Sequence, residues 1–103
     1  MIQSKIDEFK ECLCEERFYD AHEALEVLWF PRRFEQDPEI KLLKGFINAA
    51  VSFELSKKGR IPQSKKVWQS YLKYRQFLFN VNSPHLNEYY KLSRYIELLH
   101  AKL

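Results

Sequence analysis

Four prolines and Gly59 divide this chain, and between them apolar residues recur every three or four positions. That period belongs to helices, because residues three and four apart share one face. Pro31 has no amide to donate and disfavours helical geometry in the residue before it, so it ends a segment. Asp37-Pro38-Glu39 opens another, with a cap, a proline at the first helical position and an acid in the first turn. Pro62 can begin a third, and Ser83 before Pro84 a fourth. With only two glycines, few β-branched residues and many Leu, Glu, Lys and Ala, the expectation is an all-α single domain, residues 1–103, of about five helices in an irregular bundle.

The segments predict their own inner faces. Ser4 is expected to cap a first helix from Lys5 to Arg17, with Ile6, Phe9 and Leu13 inward and Asp7, Glu8, Glu11, Glu15 and Glu16 outward. The third helix, ending at Lys57 or Lys58 with Gly59 as its stop, is apolar over more than half its circumference and should be central. Its Gly45 and Ala49, small at i, i+4 spacing, invite a close neighbour. The fourth is expected to run from Pro62 through Phe79, and the last to bury Leu86, Tyr89, Tyr90, Leu92, Ile96 and Leu99.

No apolar run reaches the roughly 18 residues of a membrane span, and the N-terminal residues read as a helix start rather than a signal peptide. A cytoplasmic protein without a membrane partner is expected. Cys12 and Cys14 diverge on a helix, which disfavours a shared metal or a disulfide. Residues 1 to 54 carry 7 Lys or Arg against 12 Asp or Glu, whereas residues 55 to 103 carry 10 against 2. The halves should attract one another, or two copies should associate head to tail. Self-association or a protein partner is therefore expected, with nucleic acid as a weaker alternative through Lys57, Lys58, Arg60, Lys65, Lys66 and Lys73.

Chemistry concentrates in Phe18 to Phe30. Asp20 and Glu23 read as a capping box that would start the helix at Ala21. On the helical wheel Phe18, Ala21, Leu25, Leu28 and Trp29 form one apolar face, and His22 lies within it. Glu26, one turn on, is its natural partner. Glu54 falls in the apolar sector of the third helix, where a carboxylate needs a partner or a proton. The catalytic candidates are thus His22, Glu23, Glu26 and Glu54, supported by Tyr19, Trp29 and Asn48. His22, Glu26 and Glu54 are also the candidate ligands of a divalent metal, the one cofactor this pattern admits. His22-Glu23-x-x-Glu26 starts like a zincin helix, but the second ligand would have to be a histidine, so that reading fails. Glu97-x-x-His100 copies one element of a di-iron bundle and lacks the second copy such a site needs. No Ser or Cys nucleophile is placed beside His22, and no glycine-rich loop exists for phosphate.

Residues 17 to 29, Arg-Phe-Tyr-Asp-Ala-His-Glu-Ala-Leu-Glu-Val-Leu-Trp, resemble the signature of domain-of-unknown-function family 309, small helical proteins of bacteria and archaea. Leu42 to Ala50 resembles its second motif, Leu-x-Gln-Gly-x-Ile-x-x-Ala, and the likeness extends over residues 5 to 78. It implies an all-helical fold with the two motifs on adjacent helices. Lys44 stands where the family usually has Gln, and Glu54 where it commonly has His. The family implies no activity. The sequence therefore supports two functional expectations: a helical binding or interaction module with a His-Glu polar cluster under Trp29, and a metal-binding or metal-dependent hydrolase-like protein using His22, Glu26 and Glu54.

Overall fold

Phe46 marks the centre of the molecule. It is fully buried, with the rings of Phe9, Tyr71 and Tyr89 at centroid distances of 6.2, 6.4 and 5.9 Å. These rings come from four helices of a computed structural model that describes residues 1–103: α1 (Ile2–Cys14), α3 (Pro38–Lys57), α4 (Ile61–Arg75) and α5 (Leu86–Lys102). The fifth helix, α2 (Phe18–Trp29), packs between α1 and α3. Short 3₁₀ turns at Phe30–Arg32 and Gln76–Asn80 follow α2 and α4, and there is no strand. The all-α expectation is met. No helix is long and apolar enough to cross a membrane.

α3 is central because it has little polar surface to give to water. Half its residues are buried, including Ile40, Leu43, Ile47 and Phe53, and it packs against both α2 and α4. Its start follows the sequence: the Asp37 side chain accepts from the Glu39 amide at 2.9 Å, with Pro38 at the first position. Its end does too. Gly59 takes φ +79°, and the amides of Gly59 and Arg60 reach back to the carbonyls of Ser56 and Leu55 at 3.0 and 2.9 Å. α1 closes with the same pattern, the amides of Glu16 and Arg17 bonding Leu13 and Cys12, although the left-handed residue is Glu16.

Several helix limits differ from expectation. α1 begins at Ile2, and Ser4 does not cap it but donates to the Met1 carbonyl at 2.8 Å. α2 begins at Phe18 with Arg17 at the cap position and no side-chain cap, so Asp20 lies inside its first turn, its carboxylate held by Arg17 at 3.0 Å. α4 stops at Arg75, and the tightened turn after it turns Phe79 outward, 80% exposed. Tyr90 is also exposed, whereas Tyr89, Leu92 and Ile96 of α5 are buried. The acidic and basic halves meet through apolar packing and hydrogen bonds rather than ion pairs. Glu39 accepts from Ser83 at 2.9 Å and from Tyr89. Lys58–Glu54 is the one salt bridge that joins a residue before position 55 to one after it.

Candidate functional site

With α2 starting at Phe18, His22 lies one turn into the helix, at the rim of its buried face rather than in the middle. Ala21 and Leu25 are fully buried, while the His22 side chain keeps 22% of its surface exposed. Its Nε2 is 2.6 Å from Glu26 Oε2, the i, i+4 pair expected. An ionised carboxylate can only accept, so the neutral imidazole that suits this contact carries its proton on Nε2 and leaves Nδ1 as an acceptor. The Tyr19 ring stands edge-on to the imidazole, with centroids 5.8 Å apart.

Beside this pair a pocket of about 220 Å³ opens between α2 and α3. Phe18, Tyr19 and His22 form one wall, Val51, Glu54 and Leu55 the other, and Lys58 stands at its edge. Glu54 is half-buried as its wheel position requires, but its partner is neither His22 nor an arginine. Lys58, one turn further along, holds it at 3.3 Å. Glu26 does not line the pocket, and no three His, Cys, Asp or Glu side chains come together as a metal-holding group. His22 and Glu54 thus share a cavity, with Glu26 behind the imidazole.

The other candidates are placed elsewhere. Glu23 is exposed and acts on Tyr19, whose phenol it raises above the ordinary tyrosine value through a hydrogen bond and its charge. Trp29 does not cover His22. Two turns further along α2, it borders a hollow of about 80 Å³ with Arg33, Ile40, Lys41, Lys44 and Tyr74. Lys44 sets its ammonium 4.2 Å from the centre of the Trp29 ring, a cation–π contact. Asn48 is half-buried on α3 and lines neither hollow. Cys12 is buried, which pushes its thiol up, and Cys14 is exposed; both are free.

The six basic candidates do not form one stripe. Lys57, Lys58 and Arg60 lie at the turn between α3 and α4, with Lys65 and Lys66 just beyond, whereas Lys73 is in the last turn of α4. Two of them are engaged, Lys58 with Glu54 and Lys57 with the Glu16 carbonyl at 3.3 Å. The aromatic residues interleaved with them, Trp68 and Tyr71, face the core.

The family model for the domain of unknown function DUF309 matches residues 6–72. The chain belongs to this family. The matched DUF309 region contains most of α1, all of α2 and α3 and most of α4, hence both walls of the His22 pocket. Comparison with curated proteins and with solved structures returned no match. Beyond residue 72 this DUF309 chain closes its core with α5. There Glu97 is drawn into a network with Arg75 at 2.8 Å, Ser93 at 3.0 Å and Tyr71 at 3.3 Å. His100 lies flat on Trp68, with centroids 3.7 Å apart and planes 2° from parallel, and burial lowers its pKa. The Glu97-x-x-His100 spacing therefore serves packing: the carboxylate is held by a guanidinium and the imidazole by an indole.

Sequence reasoning missed Lys58 as the partner of Glu54, although a lysine four residues after a glutamate is a readable signal. It also missed Phe18, Val51 and Leu55 as pocket walls. No signal distinguishes a half-covered apolar residue at a helix seam from a buried one.

Proposed function

We propose that this DUF309 protein is a binding module whose ligand occupies the pocket between α2 and α3. The observation that carries this reading is one opening with apolar walls and three polar groups of different kind: an imidazole, a carboxylate and an ammonium. At about 220 Å³ it is smaller than the roughly 300–1,000 Å³ of drug-sized sites, so its occupant is a small molecule. The apolar part of such a ligand would rest on Phe18, Val51 and Leu55. A hydroxyl or amine on it would donate to His22 Nδ1 or Glu54.

A fragment titration followed by amide and side-chain NMR tests this. Fragments that pair a small apolar body with an amine or hydroxyl should shift Val51, Leu55 and His22 signals. Val51→Trp, which fills the pocket from a half-buried position, should abolish those shifts while the fold is retained. Shifts scattered over the surface, or unchanged by Val51→Trp, would remove the pocket from consideration.

A metal reading has its own support in His22 and Glu54 lining the same cavity. It requires Glu54 to leave Lys58 and turn toward the imidazole. Chelator-treated protein should then melt higher with zinc, manganese or ferrous iron, and the rise should vanish in His22→Ala and in Glu54→Gln. If no ion moves the wild-type melt, this second reading is dropped and the small-molecule reading stands alone.

A further inference from the structure

A second surface, sharing no residue with the His22 pocket, links exposed rings to cations that no carboxylate holds. It begins at Phe34, 84% exposed, where the Arg33 guanidinium lies 4.6 Å from that ring and 3.8 Å from Phe30. Phe30 meets Trp29 edge-on, and Lys44 caps Trp29. Across the small hollow is Tyr74, paired with Phe77 at 6.3 Å. Lys73 approaches the Tyr74 ring to 5.7 Å and Lys41 the Phe77 ring to 5.9 Å. Phe77 and Phe79 then line an open groove of about 510 Å³ with Lys73, Gln76 and Asn80.

Two features point to one kind of occupant. Arg33, Lys41, Lys44 and Lys73 make no salt bridge, Arg33 donating only to the Phe30 carbonyl at 2.6 Å, and no carboxylate lines either hollow. Glu35 and Asp37, the acids nearest Phe34 in sequence, are held by Arg32 at 2.8 and 3.4 Å. The surface thus lacks anionic partners of its own. Its rings are also in excess of what a purely electrostatic partner would use: Phe34 and Phe79 expose most of their area, and no other aromatic ring packs on either. Free bases have π-faces to place on such rings and phosphates to place beside such cations, whereas the bases of a duplex are already stacked.

We propose that this surface binds single-stranded nucleic acid, with bases on Phe34 and Phe79 and the phosphate backbone along Arg33, Lys44, Lys41 and Lys73. It is distinct from the basic end at Lys57, Lys58 and Arg60, where Lys58 is already held by Glu54.

The test is fluorescence anisotropy of a labelled 12-nucleotide oligo-dT and oligo-U, with a DNA duplex of equal length as comparison. The single strands should bind more tightly than the duplex. Four phosphate contacts on a single strand would give a log–log salt slope of about −2.8, a loss of about 50-fold between 50 and 200 mM salt. Phe34→Ala and Phe79→Ala, both at exposed positions that leave the core intact, should each weaken binding roughly five- to hundredfold. Lys44→Glu with Lys73→Glu should remove it. No binding at 50 mM salt overturns the proposal, as does affinity unchanged in the Phe34 and Phe79 variants. Loss on Lys57→Glu with Lys65→Glu, and not on Lys44→Glu with Lys73→Glu, overturns it in favour of the basic end. Sedimentation of the free protein covers the remaining rival. Dimers broken by the same substitutions, with no oligonucleotide bound, would assign the surface to a second copy's acidic α1 face and overturn it too.

Discussion

Gly45 on α3 faces Tyr74 on α4 so closely that a Cβ built on the glycine would stand 2.8 Å from the tyrosine Cβ. The atom it would meet is fixed to the backbone, so no rotamer change relieves the contact; one helix would have to move.

In an exposed helix interior, Gly→Ala gains about 1 kcal/mol. Gly45→Ala should do the opposite, because overpacking of a tight seam costs about 1–3 kcal/mol or more and the seam between α3 and α4 is extensive. The expected net loss is about 1–2 kcal/mol, read as a lower urea midpoint with unchanged slope. A variant as stable as wild type would mean that α4 shifts at no cost.

Glu16→Gly should act in the other direction. Glu16 has φ +57°, the left-handed conformation that costs a residue with a Cβ about 1–2 kcal/mol. Part of the relief is offset by the greater freedom of glycine in the unfolded chain, leaving an expected gain of about 0.5–1 kcal/mol. The hydrogen bonds that close α1 use the backbone of residues 12 to 17 and survive the change. Thermal melts of Glu16→Gly beside Gly59→Ala check it: the first should rise and the second fall, since Gly59 holds the equivalent place after α3 with φ +79°. A fall in both would show that the Glu16 side chain contributes more than its backbone costs.

What the sequence disclosed and withheld follows from how local each cause is. The start of α3 at Asp37-Pro38-Glu39, its end at Gly59 and the closeness at Gly45 are written in residue types with one dominant use. The left-handed Glu16 carries no such mark, and only the packing of α1 against α2 imposes it. Asp20 read as a cap because a capping box is a sequence pattern, yet Arg17, three residues before it, competes for the same carboxylate and the helix extends back to Phe18. His22 and Glu26 were legible because one turn of helix sets their distance. The walls of their pocket were not, since they depend on how far apart α2 and α3 stand at Val51 and Leu55. Trp29 shows the same limit: its face was assigned, but which helix meets that face was not.

Glu97 gives a pH test of the seam between α4 and α5. Burial raises its pKa, but the Arg75 guanidinium and the hydroxyls of Ser93 and Tyr71 outweigh this and hold it below its ordinary value of 4.5. A carboxylate whose folded pKa is depressed stabilises the fold fully above its unfolded pKa, and that contribution is lost as pH falls through the folded value. Glu97→Gln keeps the shape and removes the charge. It should therefore melt lower than wild type at neutral pH, and the difference should shrink below about pH 4.5 as the wild-type carboxylate takes up its proton. His100, whose pKa is lowered by burial, destabilises both proteins on acidification and cancels in the comparison. The carboxylate is partly exposed, so solvent screening keeps the neutral-pH difference modest and high salt should reduce it further. A difference in melting temperature that stays constant from neutral pH through the acid range would mean that Glu97 supports the seam by its shape and hydrogen bonds rather than by its charge.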